Sequence, residues 1–215
     1  VEYDAEKNNV TIYSKNQFYN NKIIFQGGLD NGDIVNTFFK KDYGKIIVNE
    51  KTVLDIGANI GDTGIFYALN GAKKVIGIEP FPKNFDYAQK NIQINNLDNV
   101  ITLLQAGCSS KKEIIKIDPD YQSNIESEAK NFKTGIDVPM IPLQDIINKY
   151  EIPKSSVLKI DCEGCEYDII ENISFETISY FSNIQIEYHL GYKKLKTKLE
   201  SFGYTVKVSK PHATN

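Results

Sequence analysis

A short apolar run, Thr52-Val53-Leu54-Asp55-Ile56, breaks at once into Gly57-Ala58-Asn59-Ile60-Gly61, and a helical pattern resumes at Asp62. Buried strand, glycine turn and helix in that order belong to α/β folds, and the turn is a place where a ligand meets backbone. Glycine is needed there because a side chain would block the ligand or carry a costly positive φ. The helix that begins near Gly61 offers free N–H groups to an anionic part of a ligand.

The alternation continues from there. Lys74–Ile78 reads as a second strand ending at Glu79-Pro80, and Asp62–Asn70 as a helix stopped by Gly71. Pro82–Asn95 reads as a helix with Phe85, Ala88, Ile92 and Asn95 on one face. Val100–Leu104, Val157–Ile160 and Ile184–Tyr188 read as further strands, followed by a helix Leu195–Phe202 and a strand Tyr204–Val208. Short apolar strands separated by helices predict a doubly wound α/β fold: a mostly parallel, Rossmann-like sheet with helices on both faces. Residues 1–50 are polar, with strand-like patches at Val10–Tyr13 and Lys22–Phe25 and a short helix over Asp33–Lys41. They read as a cap on a single domain spanning 51–215. Ser109–Pro142 interrupts the alternation with two strands, Glu113–Ile117 and Val138–Ile141, around a polar stretch. It reads as an inserted hairpin or loop of the kind that carries substrate recognition.

Charge narrows the partners. All 25 basic residues are Lys, and the net charge is −3. A nucleic-acid binder shows a basic excess or stripe, and Arg is the better residue for forked phosphate contacts, so nucleic acid is not the expected partner. No run of 18 apolar residues is present, so no segment is long enough to span a bilayer as a helix. The chain opens on Val1 without a signal-peptide pattern, leaving room for a native start upstream. Three cysteines, Cys108, Cys162 and Cys165, do not suggest a disulfide framework and point to a reducing cytoplasm.

The glycine loop departs from the dinucleotide pattern. G-x-G-x-x-G is expected for a pyrophosphate, whereas only Gly57 and Gly61 stand here, with Asp55 before them. An acid suits a ligand with a positive amino group, such as S-adenosylmethionine. Glu79, at the end of the next strand, sits about twenty residues on, where such folds hold a ribose. Pro80 and Phe81 would then wall the adenine. The predicted cofactor contacts are therefore Asp55, Gly57, Ala58, Asn59, Gly61, Glu79, Pro80 and Phe81.

These residues, together with Leu158-Lys159-Ile160-Asp161-Cys162-Glu163-Gly164-Cys165-Glu166 and Ile186-Glu187-Tyr188-His189, resemble the FkbM family of S-adenosylmethionine-dependent methyltransferases. The resemblance runs from roughly Lys51 to Val208. It implies a class I methyltransferase fold, S-adenosylmethionine as cofactor, and O-methylation of a sugar, glycan or small metabolite. It also implies that Gln105–Cys108, and so Ala106 and Gly107, border the adenine. The chain departs from the usual class I pattern at its end: too few residues follow Val208 for a final antiparallel strand.

Methyl transfer to a hydroxyl needs alignment of acceptor, methyl and sulfur, and a base for the proton. Asp161 ends the fourth strand, with Glu163 and Glu166 in the turn behind it. Glu187 and His189 are two apart on the fifth strand and share a face. His189 or Asp161 is the expected general base, with Glu163 and Glu187 orienting acceptor or base. The alternative is that Glu166 and Glu187 are structural acceptors near helix N-termini, and that His189 is a buried, satisfied histidine. Cys162-Glu163-Gly164-Cys165 is one Cys pair where zinc usually takes four ligands. Asp161, Glu187 and His189 form an alternative divalent-ion cluster, but the pair reads as small residues in a tight turn and no metal is expected. Two rival functions remain: an NAD-dependent oxidoreductase, disfavoured by the missing third glycine, and a non-catalytic nucleotide-binding module.

Overall fold

The computed structural model describes residues 1–4, 6, 8–13, 22–27, 33–40, 42–120 and 132–209. Its elements run β1 (Glu2–Asp4), β2 (Asn9–Tyr13), β3 (Lys22–Gln26), α1 (Asp33–Val35, continued as a π turn over Asn36–Lys40), β4 (Thr52–Ile56), α2 (Asp62–Leu69), β5 (Lys74–Ile78), α3 (Pro82–Ile94), β6 (Ile101–Leu104) and β7 (Gly107–Ser109). Then follow β8 (Glu113–Ile117), β9 (Ile136–Pro142), α4 (Leu143–Tyr150), β10 (Ser156–Ile160), α5 (Cys165–Asn172), α6 (Phe175–Ile178), β11 (Phe181–Ile186) and α7 (Lys193–Ser201). Lys41, the last residue of the expected N-terminal helix, and 121–131, within the polar stretch of the insertion, lie outside the described residues.

The predicted α/β fold is the observed one. Five strands form a parallel sheet in the order β11-β10-β4-β5-β6. Side chains alternate across it as the pleat requires. Val53, Val75 and Val157 face a core shared with Ile65 of α2 and Ile92 of α3. Leu54, Ile76 and Leu158 face a second core with Ile146 of α4, Ile169 of α5 and Leu195 of α7. Helices therefore cover both faces. The N-terminal strands form a separate antiparallel sheet, β1-β2-β3, whose Val10, Ile12, Ile23 and Phe25 enter the first core. Asn91 of α3 and Asn95, the cap at its C-terminal end, tie β3 down through its backbone at Gln26 and Ile24. The insertion forms a third sheet, β7-β9-β8, over a small cluster of Phe81, Ile115, Ile117, Val138 and Met140.

Four expectations are corrected. The fifth strand ends at Ile186, so Glu187 and His189 lie in the loop beyond it and do not share a strand face. Tyr204–Val208 is not a strand: Tyr204 and Val206 pack against the second core, and that packing produced the two-residue periodicity without a ladder. Helices α4 and α5 were not anticipated, although Leu143, Ile146 and Ile147 have the i, i+3, i+4 spacing of a buried helical face. Cys162 and Cys165 are joined by a disulfide, with Cα atoms 5.5 Å apart, and Cys108 alone remains a free, buried thiol. Among the described residues, no helix is long and apolar enough to cross a membrane.

Candidate active site

Parallel pairing places the functional strand ends side by side. Lys159 on β10 registers with Asp55 on β4, and Asp55 with Gly77 on β5. Both charged residues sit on the core face, and both are essentially inaccessible to solvent. Their pairing satisfies what burial would otherwise make expensive. Lys159 Nζ lies 3.1 Å from Asp55 Oδ1 and 3.7 Å from Asp161 Oδ2, and donates to the Gly57 carbonyl at 2.6 Å. Burial lowers the Lys159 pKa, but the charges of Asp55 and Asp161 outweigh it and the net shift is upward, so the side chain stays an ammonium. Asp55 Oδ2 accepts from the Thr63 hydroxyl at 2.6 Å. Asp55 thus carries the loop from beneath, and both of its oxygens are engaged within the protein.

The loop is held from above by Glu79. Its Oε2 accepts from the Asn59 N–H at 2.8 Å and its Oε1 from the Phe81 N–H at 3.0 Å. Burial raises its pKa to about 7 against those two backbone bonds. Gly57 and Ala58 donate to the Ile78 carbonyl, which joins the loop to the end of β5. Gly57, Asn59 and Gly61 all have positive φ (80°, 48° and 84°). The remaining expected cofactor contacts are less open. Phe81 packs into the cluster beneath the β8–β9 hairpin, Ala106 is fully buried, and Gly107 begins β7 with Met140 against it.

At the ends of β10 and β11 the expected acids and histidine do come together. Glu163 and Gly164 turn the chain through positive φ (53° and 116°) into α5. Glu166 is fully buried. Its Oε2 accepts from the Gly164 N–H at 2.8 Å and its Oε1 lies 2.9 Å from His189 Nδ1. His189 Nε2 lies 3.2 Å from Glu163 Oε2. The bond to Glu166 and the charge of Glu163 outweigh burial and raise the His189 pKa to about 9. The ring is an imidazolium at neutral pH and is not poised to accept a proton, contrary to its expected role as base. Burial lifts Glu163 to about 7, with His189 opposing. Glu187 is also raised, by burial and then by Asp161.

Lys159 has no role assigned from the sequence, and two further contributors missed by sequence reasoning come from the N-terminal segment. The Tyr43 hydroxyl lies 2.7 Å from Asp161 Oδ2 and 3.1 Å from Glu187 Oε2. Thr37 donates to the buried Asp62 at 2.6 Å. No local signal marks either residue, because each meets its partner only after the cap folds over the sheet. One donor atom each from Asp161, Glu187 and His189 lies within 4.8 Å of the others. The ring nitrogens of His189 face Glu166 and Glu163, and Tyr43 bridges Asp161 and Glu187, so two hydrogen-bonded sets lie side by side at the strand ends.

The His189 ion pairs have a pH signature. The folded-state pKa lies above the ordinary 6.5, chiefly through Glu166, so the contribution of the His189 charge to stability is complete below that value and is lost as pH rises through about 9. Thermal melts across this window should show a decline that His189→Asn removes. A parallel decline in the variant would contradict the assignment.

The sheet order β11-β10-β4-β5-β6 with helices on both faces defines a Rossmann-like domain of the methyltransferase type. The methyltransferase FkbM domain model matches residues 55–206, and the chain belongs to that family. Among curated relatives, methyltransferase sdnD of Sordaria araneosa is 22% identical over 169 residues, covering 63% of this chain and 65% of the relative. Hexuronic acid methyltransferase AglP of Haloferax volcanii is 23% identical over 137 residues, covering 64% of this chain and 55% of the relative. The chain therefore spans less than two thirds of the length of either. A solved methyltransferase FkbM from Methylobacillus flagellatus shares the fold, with a TM-score of 0.53 at 19% identity over 79% of this chain and 41% of that one.

Proposed function

We propose that this protein transfers a methyl group from S-adenosylmethionine to a hydroxyl of a sugar, glycan or small metabolite. The observation that carries the reading is the convergence of Asp161, Glu163, Glu187 and His189 on the strand ends beside the Gly57–Gly61 loop. Open α/β sheets bind ligands in that crevice. Gly57, Ala58, Asn59 and Gly61 would approach the methionine part of the cofactor, Glu79 the ribose, and Pro80, Ala106 and Gly107 the adenine side. Asp55 would act through Lys159 and Thr63 to keep the loop in shape.

Within this reading Glu163 is the general base. Its pKa of about 7 suits a base at neutral pH. His189, held protonated between Glu163 and Glu166, orients it. S-adenosylmethionine, held by the loop, would supply the methyl group for an in-line displacement that leaves S-adenosylhomocysteine, and Glu163 would accept the proton of the acceptor hydroxyl. Beside these groups lies a cleft of about 570 Å³ lined by Gly164, Tyr167, Leu190, Gly191 and Tyr192, which offers room for an acceptor. The hexuronic acid in the name of the Haloferax volcanii relative is consistent with a sugar. The described strands of residues 1–50 would act as a cap on the 51–215 domain, and strands β8 and β9 of the 109–142 insertion, which pack on Phe81, would border the adenine side.

Calorimetric titration tests the cofactor. S-adenosylmethionine and S-adenosylhomocysteine should bind and NAD should not; the reverse would overturn the reading. For the base, Glu163→Gln should lower turnover about a hundredfold with cofactor affinity unchanged. In the wild type kcat/KM should rise through about pH 7 as Glu163 ionises and fall through about pH 9 as His189 loses its proton. The variant should lose the lower limb, and a retained limb would exclude Glu163.

A further inference from the structure

Tyr43 belongs to the N-terminal cap, lies outside the matched family region and is buried. Its ring faces Lys159, whose Nζ is 5.4 Å from the ring centroid. The adjoining turn is pinned independently, since Gln185 of β11 donates to the Asp42 carbonyl at 2.9 Å. The hydroxyl has one hydrogen and two carboxylate neighbours, Asp161 Oδ2 at 2.7 Å and Glu187 Oε2 at 3.1 Å. Burial, then the charges of those two acids, push its own ionisation far above the ordinary range, so it remains a donor. The second oxygen of each acid, Asp161 Oδ1 and Glu187 Oε1, has no protein hydrogen-bond partner among the described residues. Asp161 is about a fifth exposed at its side chain and Glu187 is exposed, so the pair opens to solvent.

Two carboxylates left alone at this distance repel and splay. Tied through one hydroxyl, they present two acceptor atoms as a fork. The complementary ligand carries two neighbouring hydroxyl donors, which each acid oxygen can accept through a charge-assisted hydrogen bond. We propose that Tyr43 is a positioning residue that sets Asp161 and Glu187 as a fork for a vicinal diol of the acceptor, so that the acceptor class is a polyol or pyranose with adjacent free hydroxyls. This rests on the hydroxyl-methylation reading above. The pair would be the handle, and a third hydroxyl beside it, facing Glu163, would be the methylated one.

The test uses the full chain loaded with S-adenosylhomocysteine, whose affinity is measured first by calorimetry. Absence of cofactor binding would defeat the underlying reading and not this inference alone. A panel of methyl pyranosides and their monodeoxy counterparts is then followed by saturation-transfer NMR. At least one pyranoside should bind, and removal of either hydroxyl of one adjacent pair should weaken it at least tenfold. Tyr43→Phe should weaken the same pyranoside and leave the cofactor affinity unchanged. Glu187→Gln should weaken it too, and the double variant should be no worse than the more impaired single one, since both act through one fork. Cofactor binding with equal binding of diol and deoxy sugars, with no pyranoside bound, or with additive losses in the double variant, overturns the fork.

Discussion

Replacing Gly57 with alanine is expected to abolish cofactor binding and to lower stability by roughly 2–5 kcal/mol. Two costs combine. Gly57 has φ of 80°, a conformation an L side chain rarely adopts. A Cβ there would also collide with the backbone carbonyl of Asp161, which cannot rotate aside as a side-chain tip can. That carbonyl belongs to the residue that follows β10, and the Asp161 N–H donates to Ile56 at 3.0 Å. The two chains can separate only by tearing the junction between the glycine loop and the acid cluster. Gly61 supplies the control. Its φ is 84°, but its Cβ would meet Ala88 at 3.3 Å, a contact that a small shift relieves. Gly61→Ala should therefore cost less. Calorimetry with S-adenosylmethionine and thermal melts check both variants, and a Gly57→Ala protein that binds normally would show that the loop is not the cofactor cradle.

Lys159→Met carries the second large effect. Removing one partner from a buried ion pair leaves an uncompensated charge and costs about 3–5 kcal/mol. In a domain of this size that is a fall in Tm of roughly 6–20 °C. Here the loss reaches three groups at once, since Asp55, Asp161 and the Gly57 carbonyl all face the ammonium. Asp55 is the most affected, because burial already pushes its pKa up and Lys159 is the largest opposing influence. Neutralising it should help. The double variant Lys159→Met with Asp55→Asn should be more stable than the additive expectation, because the pair is in direct contact. Additive losses would mean that Lys159 acts by packing and not by charge.

Much of the frame was readable before any coordinates. Strands β4, β5, β6 and β10 announced themselves as short apolar runs, and helices α2, α3 and α7 by periodicity and terminal glycines, because local pattern and burial agree there. Glu79 stands out in the sequence by its position at a strand end, and in the fold it accepts from the Asn59 and Phe81 N–H groups. The errors share a different cause. Tyr204–Val208 alternates like a strand, but alternation reports only which side chains are buried, and packing on helices buries them as well as a sheet does. The disulfide escaped because Cys-x-x-Cys fits a tight turn, a metal site or a bridge, and the turn at Glu163 and Gly164 decides between them. His189 was named as a base from its ordinary pKa, whereas two flanking carboxylates set its charge.

By itself the sequence determined the strand–loop–helix core of this protein, the glycine positions that let backbone approach a ligand, and the residue types that gather at the strand ends. Those follow from spacing along the chain, and spacing is local. The tertiary structure alone decided that Lys159 lies across from Asp55, that Tyr43 reaches more than a hundred residues ahead to join Asp161 and Glu187, and that His189 is cationic. These depend on strand register and on burial, which fix distance and desolvation between residues far apart in sequence.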